Sequence, residues 1–222
     1  LVEAREKFMQ SLKQCPEYLS SGAHLGWVLM ELSEIATEVE RKRSLLREAR
    51  ERFTEVARIE EHRASVLCNH GAVLGLLEKI ENNPKAARAL REEACKKYKE
   101  AIECDAGLAE IWDNWGLSFL ALAKYAEEPE EREQLLAQAE EKSLHAEKMV
   151  PGEGSYNLAC VMAQRNDTAP CRRWLETAEA HNVLPPVSHL REDRDLESIR
   201  SDDWFKELLA RQENRDAVEE NK

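Results

Sequence analysis

A thiol, an amide and an imidazole stand together at Cys68-Asn69-His70, the group types from which a nucleophile and its general base are built. Catalysis by such a pair requires the thiol and the imidazole to lie within hydrogen-bond distance. Two residues apart on a helix, Cys68 and His70 project in different directions, so the segment does not predict a catalytic pair. The remaining histidines and cysteines lack metal-ligand spacing, and the motifs of phosphate loops, serine hydrolases and zinc proteases are absent. We therefore predict a protein that is not an enzyme and that has no cofactor and no metal site.

The composition is that of a helical protein with an acidic surface. Charged residues make up 34% of the 222 residues, whereas Gly and Pro number 8 and 7. The abundant Ala, Leu, Glu, Lys and Arg lose little rotamer freedom in a helix, and no alternating strand pattern is present. The formal net charge of −12 argues against nucleic acid as a partner, because phosphate binding requires a cationic surface. The basic run at 41–43 lies among glutamates and is interpreted as a solvated helix face.

Cysteine usage and the chain ends bear on the compartment. Six cysteines are scattered without a C-x2-C pair, several at positions where alanine would fit. This usage favours the cytoplasm or another reducing compartment. No apolar run reaches the roughly 18 residues that a membrane helix needs, so we predict no transmembrane segment. The chain starts at Leu1 within a helical pattern and without Met, and we expect it to be a fragment.

A motif with fixed spacing organises the chain. In residues 109–151 it consists of Trp112, Trp115-Gly116, Phe119, Ala139, Ser143, Ala146 and Pro151. Three sets of equivalent residues recur 45 positions apart: Gly26, Gly71 and Gly116; Leu32, Leu77 and Leu122; and Ala49, Ala94 and Ala139. The pattern resembles the tetratricopeptide repeat, W-x2-L-G-x2-Y followed by A-x3-F and P, with departures at three positions. These are Trp115 for Leu, Phe119 for Tyr and Ser143 for Phe.

The resemblance implies an all-α fold, a right-handed α-solenoid of antiparallel helix pairs within a single domain spanning residues 1–213. The usual period of this repeat is about 34 residues, and the extra length of about 11 residues is close to three helical turns. We therefore predict longer helices, not an inserted loop. The units are a trailing helix at 1–18, long repeats at 19–63, 64–108 and 109–153, a standard repeat at 154–187, a C-terminal cap at 188–213 and a charged tail at 214–222.

Local signals divide the repeats into helices. Thr37-Glu38-Val39-Glu40 fits a capping box, and it predicts a boundary between helices at 20–36 and 38–59. Asn83 fits an N-cap, and Pro84 fits the first helical position, where its missing N–H costs nothing.

The C-terminal region carries its own boundary signals. We predict a turn at Asn166-Asp167, the end of the last repeat at Leu184-Pro185-Pro186, and a final helix capped by Ser201 or Asp202. The run 155–160, followed by Asp193-x-Asp195-Leu196 and Trp204-Phe205, resembles the segment that closes many tetratricopeptide arrays. Such a cap covers the apolar face that the last repeat would otherwise expose.

The resemblance further implies that the first helix of each pair lines a concave groove that binds a peptide or helix of a partner protein. The groove positions in this chain are Ser20, Ala23, His24, Trp27, Met30, Ser65, Cys68, Asn69, Ala72, Glu110, Asp113, Asn114, Leu117, Tyr156, Asn157 and Cys160. Asn69, Asn114 and Asn157 form one column. Two interpretations stay open for this column, namely hydrogen bonds to a bound peptide's backbone and fixation of the neighbouring repeat.

Co-chaperones of the same family bind acidic C-terminal tails with Lys, Arg and Asn in this groove. Here the Lys and Arg are missing, and Glu110 and Asp113 would repel a carboxylate, so we predict no binding of such tails. A groove that is apolar near Trp27 and acidic near Asp113 favours a basic partner segment. We predict a protein–protein interaction scaffold or adaptor. The alternative is a structural subunit that forms homo-oligomers or docks through its edges while the groove is filled internally.

Overall fold

The computed structural model describes residue 7, residues 19–58 and residues 63–219. Helices account for the regular structure of this part of the chain, and it contains no β-strand, which confirms the predicted all-α class. The α-helices are α1 (Leu19–Ile35), α2 (Val39–Val56), α3 (Arg63–Lys79), α4 (Pro84–Cys104), α5 (Ala109–Leu122), α6 (Pro129–Met149), α7 (Ser155–Gln164), α8 (Thr168–Ala180), α9 (Val187–Glu192) and α10 (Asp203–Glu219). Two 3-10 helices, Ala123–Tyr125 and Arg194–Ile199, follow α5 and α9. The predicted trailing helix at 1–18 lies outside the described residues, apart from residue 7.

Packing follows the chain order. The closest partners are the helices of each pair, α1 with α2, α3 with α4, α5 with α6 and α7 with α8. The alternate helices α1, α3, α5 and α7 also contact one another in sequence. Helices α1 to α6 have 14 to 21 residues, whereas α7 and α8 have 10 and 13, so the extra length of the first three units lies within helices.

Glycines set how closely the two helices of each pair approach. A Cβ added to Gly26 would lie 2.7 Å from the ring of Phe53, and one added to Gly71 would lie 2.6 Å from the ring of Tyr98. In the third pair Gly116 faces Ser143 and the backbone of α6. All three glycines therefore stand where the two helices of a pair approach each other closely.

Two sequence predictions about helix ends differ in outcome. Asn83 caps α4, because its side-chain oxygen accepts hydrogen bonds from the amides of Lys85 and Ala86, and Pro84 occupies the first turn. The capping box at Thr37 is wrong. The N-cap of α2 is Glu38 and makes no side-chain cap hydrogen bond, since the helix starts one residue later than the box requires.

The second helix of the last pair ends in a left-handed turn. α8 ends at Ala180, before Leu184-Pro185-Pro186, because Asn182 adopts a left-handed conformation with φ of 57°. The amide of Val183 then donates to the carbonyl of Ala178, which closes the helix end. Asn166, with φ of 59°, makes the same turn after α7, as predicted.

The C-terminal segment packs on the last helix pair. Leu196, Ile199 and Phe205 are fully buried with residues of α7 and α8. Asp193 caps the second 3-10 helix by accepting the amide hydrogen of Asp195. α10 starts directly after Asp202, as one of the two predicted caps requires, but it continues to Glu219, well into the predicted charged tail.

Arginines of α2 and α4 reach the turn of the following unit. Arg43 donates to the carbonyl of Ile80, and Arg88, 45 residues later, donates to the carbonyl of Tyr125. Hereafter these two contacts are called the arginine anchors. The register of the sequence is thus reproduced in contacts between units, because the same side chain meets the equivalent turn in both places.

Candidate functional site

The candidate site is the face formed by α1, α3, α5 and α7, hereafter the first-helix face. Its N-terminal part is open. Trp27 is 48% exposed and Leu117 is 37% exposed, and Ala72, halfway between them in sequence, is half-buried. These residues are spaced by 45 positions, so each occupies the same place on its helix. They form an apolar column with which a partner can make contact.

Asparagines join neighbouring helices of this face. The side-chain amide of Asn157 donates to Oδ1 of Asp113 at 2.7 Å and to its carbonyl at 3.2 Å. The amide of Asn114 contacts Sγ of Cys68 at 3.7 Å. Both amides therefore fix the preceding unit, which was one of the two interpretations of this column. Asn69 is half-buried and makes no side-chain hydrogen bond within the described residues.

The C-terminal end of the face is covered by the cap. The hydroxyl of Tyr156 donates to Oδ2 of Asp193 at 2.7 Å, and the rings of Tyr156 and His189 lie 6.2 Å apart. Cys160 is 1% exposed. Tyr156, Asn157 and Cys160, which were predicted as groove residues, are thus engaged within the protein.

Cys160, Asp193 and Asp195 form the one group in the described chain that brings three possible metal-ligand atoms within 4.8 Å. Burial raises the pKa of Asp195, and Lys124 forms an ion pair with it at 2.9 Å. Gln164 also donates to Asp195 at 3.0 Å. Both carboxylates are therefore hydrogen-bonded by the protein's own side chains, and the charge of Asp195 is compensated by Lys124.

The acidic end of the face lies on α5. Asp113 is half-buried, and burial raises its pKa to about 7, with further contributions from Glu153, Glu147 and Glu110. The hydrogen bond from Asn157 opposes this shift. Near neutral pH, therefore, a ligand with a positive charge would convert Asp113 fully to its ionised form.

Cys68 and His70 lie in the core, at 3% and 4% exposure. Burial raises the pKa of Cys68 to about 12, with Glu110 adding to the shift, so its thiol stays protonated at neutral pH. Burial also lowers the pKa of His70 to about 4, and its Nε2 has no hydrogen-bond partner. A neutral imidazole and a protonated thiol in these positions provide packing volume.

The tryptophans of the motif pack between α5 and α6. The ring of Trp112 lies 4.0 Å from that of His145, and its Nε1 donates to the carbonyl of Ala106. The ammonium group of Lys142 lies 4.7 Å from the centre of the Trp115 ring. Both tryptophans therefore act as packing residues.

Two features of the region were missed by the sequence interpretation. Glu147 accepts hydrogen bonds from the amides of Gly152 and Gly154, which brings its charge close to Asp113. A buried ion pair joins Arg91 of α4 to Glu78 of α3 at 2.6 Å. The second feature was detectable, since Arg91 stands at the repeat position that Leu46 and Leu136 occupy.

Comparison of the chain with models of known protein families and with curated proteins found no significant match. Among the described helices, none combines the length and the apolar character needed to cross a lipid bilayer.

Proposed function

We propose that the chain is a non-enzymatic protein-interaction module, a scaffold or adaptor of the tetratricopeptide type, whose first-helix face binds a peptide segment of a partner protein. A right-handed solenoid of helix pairs is part of the proposal. It is supported by the contacts that recur every 45 residues, the glycine approaches and the arginine anchors.

The observation that carries the proposal is the open apolar column of Trp27, Ala72 and Leu117. Trp27 on α1 and Leu117 on α5 are large apolar side chains that stay exposed at equivalent places, and Ala72 adds a smaller, half-buried apolar side chain at the same place on α3. Exposed apolar surface of this kind is typical of a binding surface. Asn69 lies between Trp27 and Leu117 and supplies an amide that can donate and accept hydrogen bonds. The binding region is therefore the N-terminal part of the face, away from the cap.

The test is affinity capture with the immobilised chain, followed by mass spectrometry. We expect the double variant Trp27→Ala, Leu117→Ser to lose partners that the unmodified chain retains. The control is Val150→Ala, Val183→Ser, which removes two apolar side chains of similar exposure, 48% and 40%, outside the first-helix face. Equal capture by all three proteins would contradict the proposal.

A second candidate function is docking through an edge, and one observation favours it. Ile35 is 68% exposed and Val39 is 51% exposed at the α1–α2 turn. Ile35 also lines a depression of about 340 Å³ together with Leu32, Ala36 and Leu45. Light scattering across a concentration series separates the two candidates. A mass that rises with concentration, and that Ile35→Ser abolishes, would support homo-oligomerisation through this edge.

A further inference from the structure

We propose that the bound segment is a basic peptide, which places a lysine or arginine side chain against Glu110, Asp113 and Glu153. The inference rests on the proposed function, since it names the chemistry of the segment that binds the first-helix face. It assigns two parts to that face, an apolar contact along Trp27, Ala72 and Leu117 and a cation contact beside it.

The Asp113 carboxylate has one oxygen without a hydrogen-bond partner. Its Oδ1 accepts the amide hydrogen of Asn157 at 2.7 Å, and its Oδ2 has no hydrogen-bond partner within the described residues. The group is half-buried, so water does not fully compensate for its charge. A cationic donor would supply the missing partner.

Further acidic side chains surround Asp113. Glu110 approaches from its own helix, Glu147 from α6 and Glu153 from the α6–α7 connection, and all three raise its pKa. Glu147 is engaged by the amides of Gly152 and Gly154. Glu110 and Glu153 form no ion pair within the described part of the chain. Two carboxylates therefore stand beside Asp113 with their charges uncompensated, and together they select for positive charge.

The acidic group lies next to the apolar column. Asp113 is one helical turn before Leu117 on α5, so its carboxylate stands beside the α5 end of that column. Packed helices lie about 10 Å apart, which puts Trp27 roughly 20 Å from Asp113, the length of about six extended residues. A short peptide with an apolar residue at one end and a basic residue at the other would contact both parts.

The experiment is selection of a displayed random library of peptides about twelve residues long on the immobilised full chain. We expect selected peptides to be enriched in Lys or Arg at a fixed distance from an apolar residue. For a selected peptide, replacing that basic residue by Gln should weaken binding roughly 10- to 100-fold, as loss of a hydrogen bond to a charged group does.

Two double variants are compared. The site variant is Glu110→Gln with Asp113→Asn, and the control is Glu127→Gln with Glu128→Gln. Both remove two acidic groups from the chain, but Glu127 and Glu128 are exposed in the turn before α6. Only the first variant should lose the preference for basic peptides. It should bind a selected basic peptide roughly 10-fold or more weakly than the unmodified chain does. Helical circular dichroism checks that both variants are folded.

The outcomes distinguish the two proposals. Peptides that require Trp27 and Leu117 but show no basic preference would overturn the cation contact and leave the proposed function standing. Peptides whose binding is unchanged by either set of substitutions would overturn both, as would a selection that enriches no peptide over the bare support. A basic preference that the Glu127 and Glu128 control also abolishes would show that net charge, and not this site, selects the peptides.

Discussion

The buried ion pair between Glu78 and Arg91 provides a test of how equivalent the repeat units are. The side chains are 11% and 5% exposed, Nη2 of Arg91 lies 2.6 Å from Oε2 of Glu78, and it also donates to the carbonyl of Gly75 at 3.3 Å. Tyr125 donates its hydroxyl hydrogen to the same carboxylate. Glu78→Ala leaves the guanidinium group buried without its counter-ion, which we expect to lower the free energy of unfolding by about 3–5 kcal/mol.

The third unit shows which apolar side chains can replace this ion pair. Forty-five residues after Gly75, Glu78 and Arg91 stand Leu120, Ala123 and Leu136, which are at most 1% exposed. Leucine fits there because the guanidinium group is absent, whereas a Cβ on Gly75 would lie 2.6 Å from Nη1 of Arg91. The triple variant Gly75→Leu, Glu78→Ala, Arg91→Leu should therefore recover the stability lost in Glu78→Ala, because apolar replacement of a buried pair is often neutral or stabilising by about 1–4 kcal/mol.

Urea unfolding followed by circular dichroism measures the effect. The control is Glu92→Ala, which breaks an exposed i,i+4 pair with Arg88 and should cost about 0.5 kcal/mol or less. The reasoning is refuted if Glu78→Ala costs no more than the control. It is also refuted if the triple variant is as unstable as Glu78→Ala, since the units would then differ in more than these three side chains.

Three further variants test the burial of single groups. Because the folded-state pKa of Asp113 is raised to about 7, this group destabilises the fold as pH rises from about 4 to 7, and Asp113→Asn should stabilise the chain at pH 8 by roughly 2–4 kcal/mol in urea unfolding. His70 has the opposite effect. Because its pKa in the folded state is about 4, the free energy of unfolding should fall by about 3 kcal/mol as pH drops from about 6.5 to 4, and His70→Leu should abolish this fall. An unchanged pH profile of the unfolding midpoint in either variant would contradict the corresponding assignment. Gly71→Ala should lower the melting temperature because its Cβ meets the Tyr98 ring, at a cost of about 1–3 kcal/mol, whereas Gly107→Ala, in an exposed turn, serves as the control.

Packing positions could be predicted from the sequence because they repeat. Gly26, Gly71 and Gly116 recur with a fixed period, and a residue that every unit needs at one place is visible without coordinates. The N-cap at Asn83 could also be predicted, since an N-cap depends on residues that are neighbours in the sequence. The capping box at Thr37 failed because the packing of α2 determines where that helix begins, and a local motif does not contain this information.

The candidate site was less predictable because it depends on contacts between units. Sequence alone could not decide whether Asn157 faces a ligand or Asp113, since both would use the same amide. Cys160 on α7 and Leu117 on α5 occupy equivalent positions of their helices. The cap covers Cys160, however, whereas Leu117 stays exposed. The acidic surroundings of Asp113 could not be predicted either, because they are formed by Glu147 of α6 and Glu153 of the α6–α7 connection.

The arginine anchors couple neighbouring units. Each anchor runs from the second helix of one unit to the turn of the next, so a turn is held by the unit before it. Because a hydrogen bond stabilises both of its partners, opening of either unit breaks the anchor between them: the earlier unit loses the acceptor of its arginine, and the later unit loses the donor that holds its turn. In an array of this kind the stability is a sum of terms for each unit and terms for each pair of neighbours, and the anchors contribute to the second kind at two junctions. Local opening at either end therefore weakens the adjacent unit through the same contact.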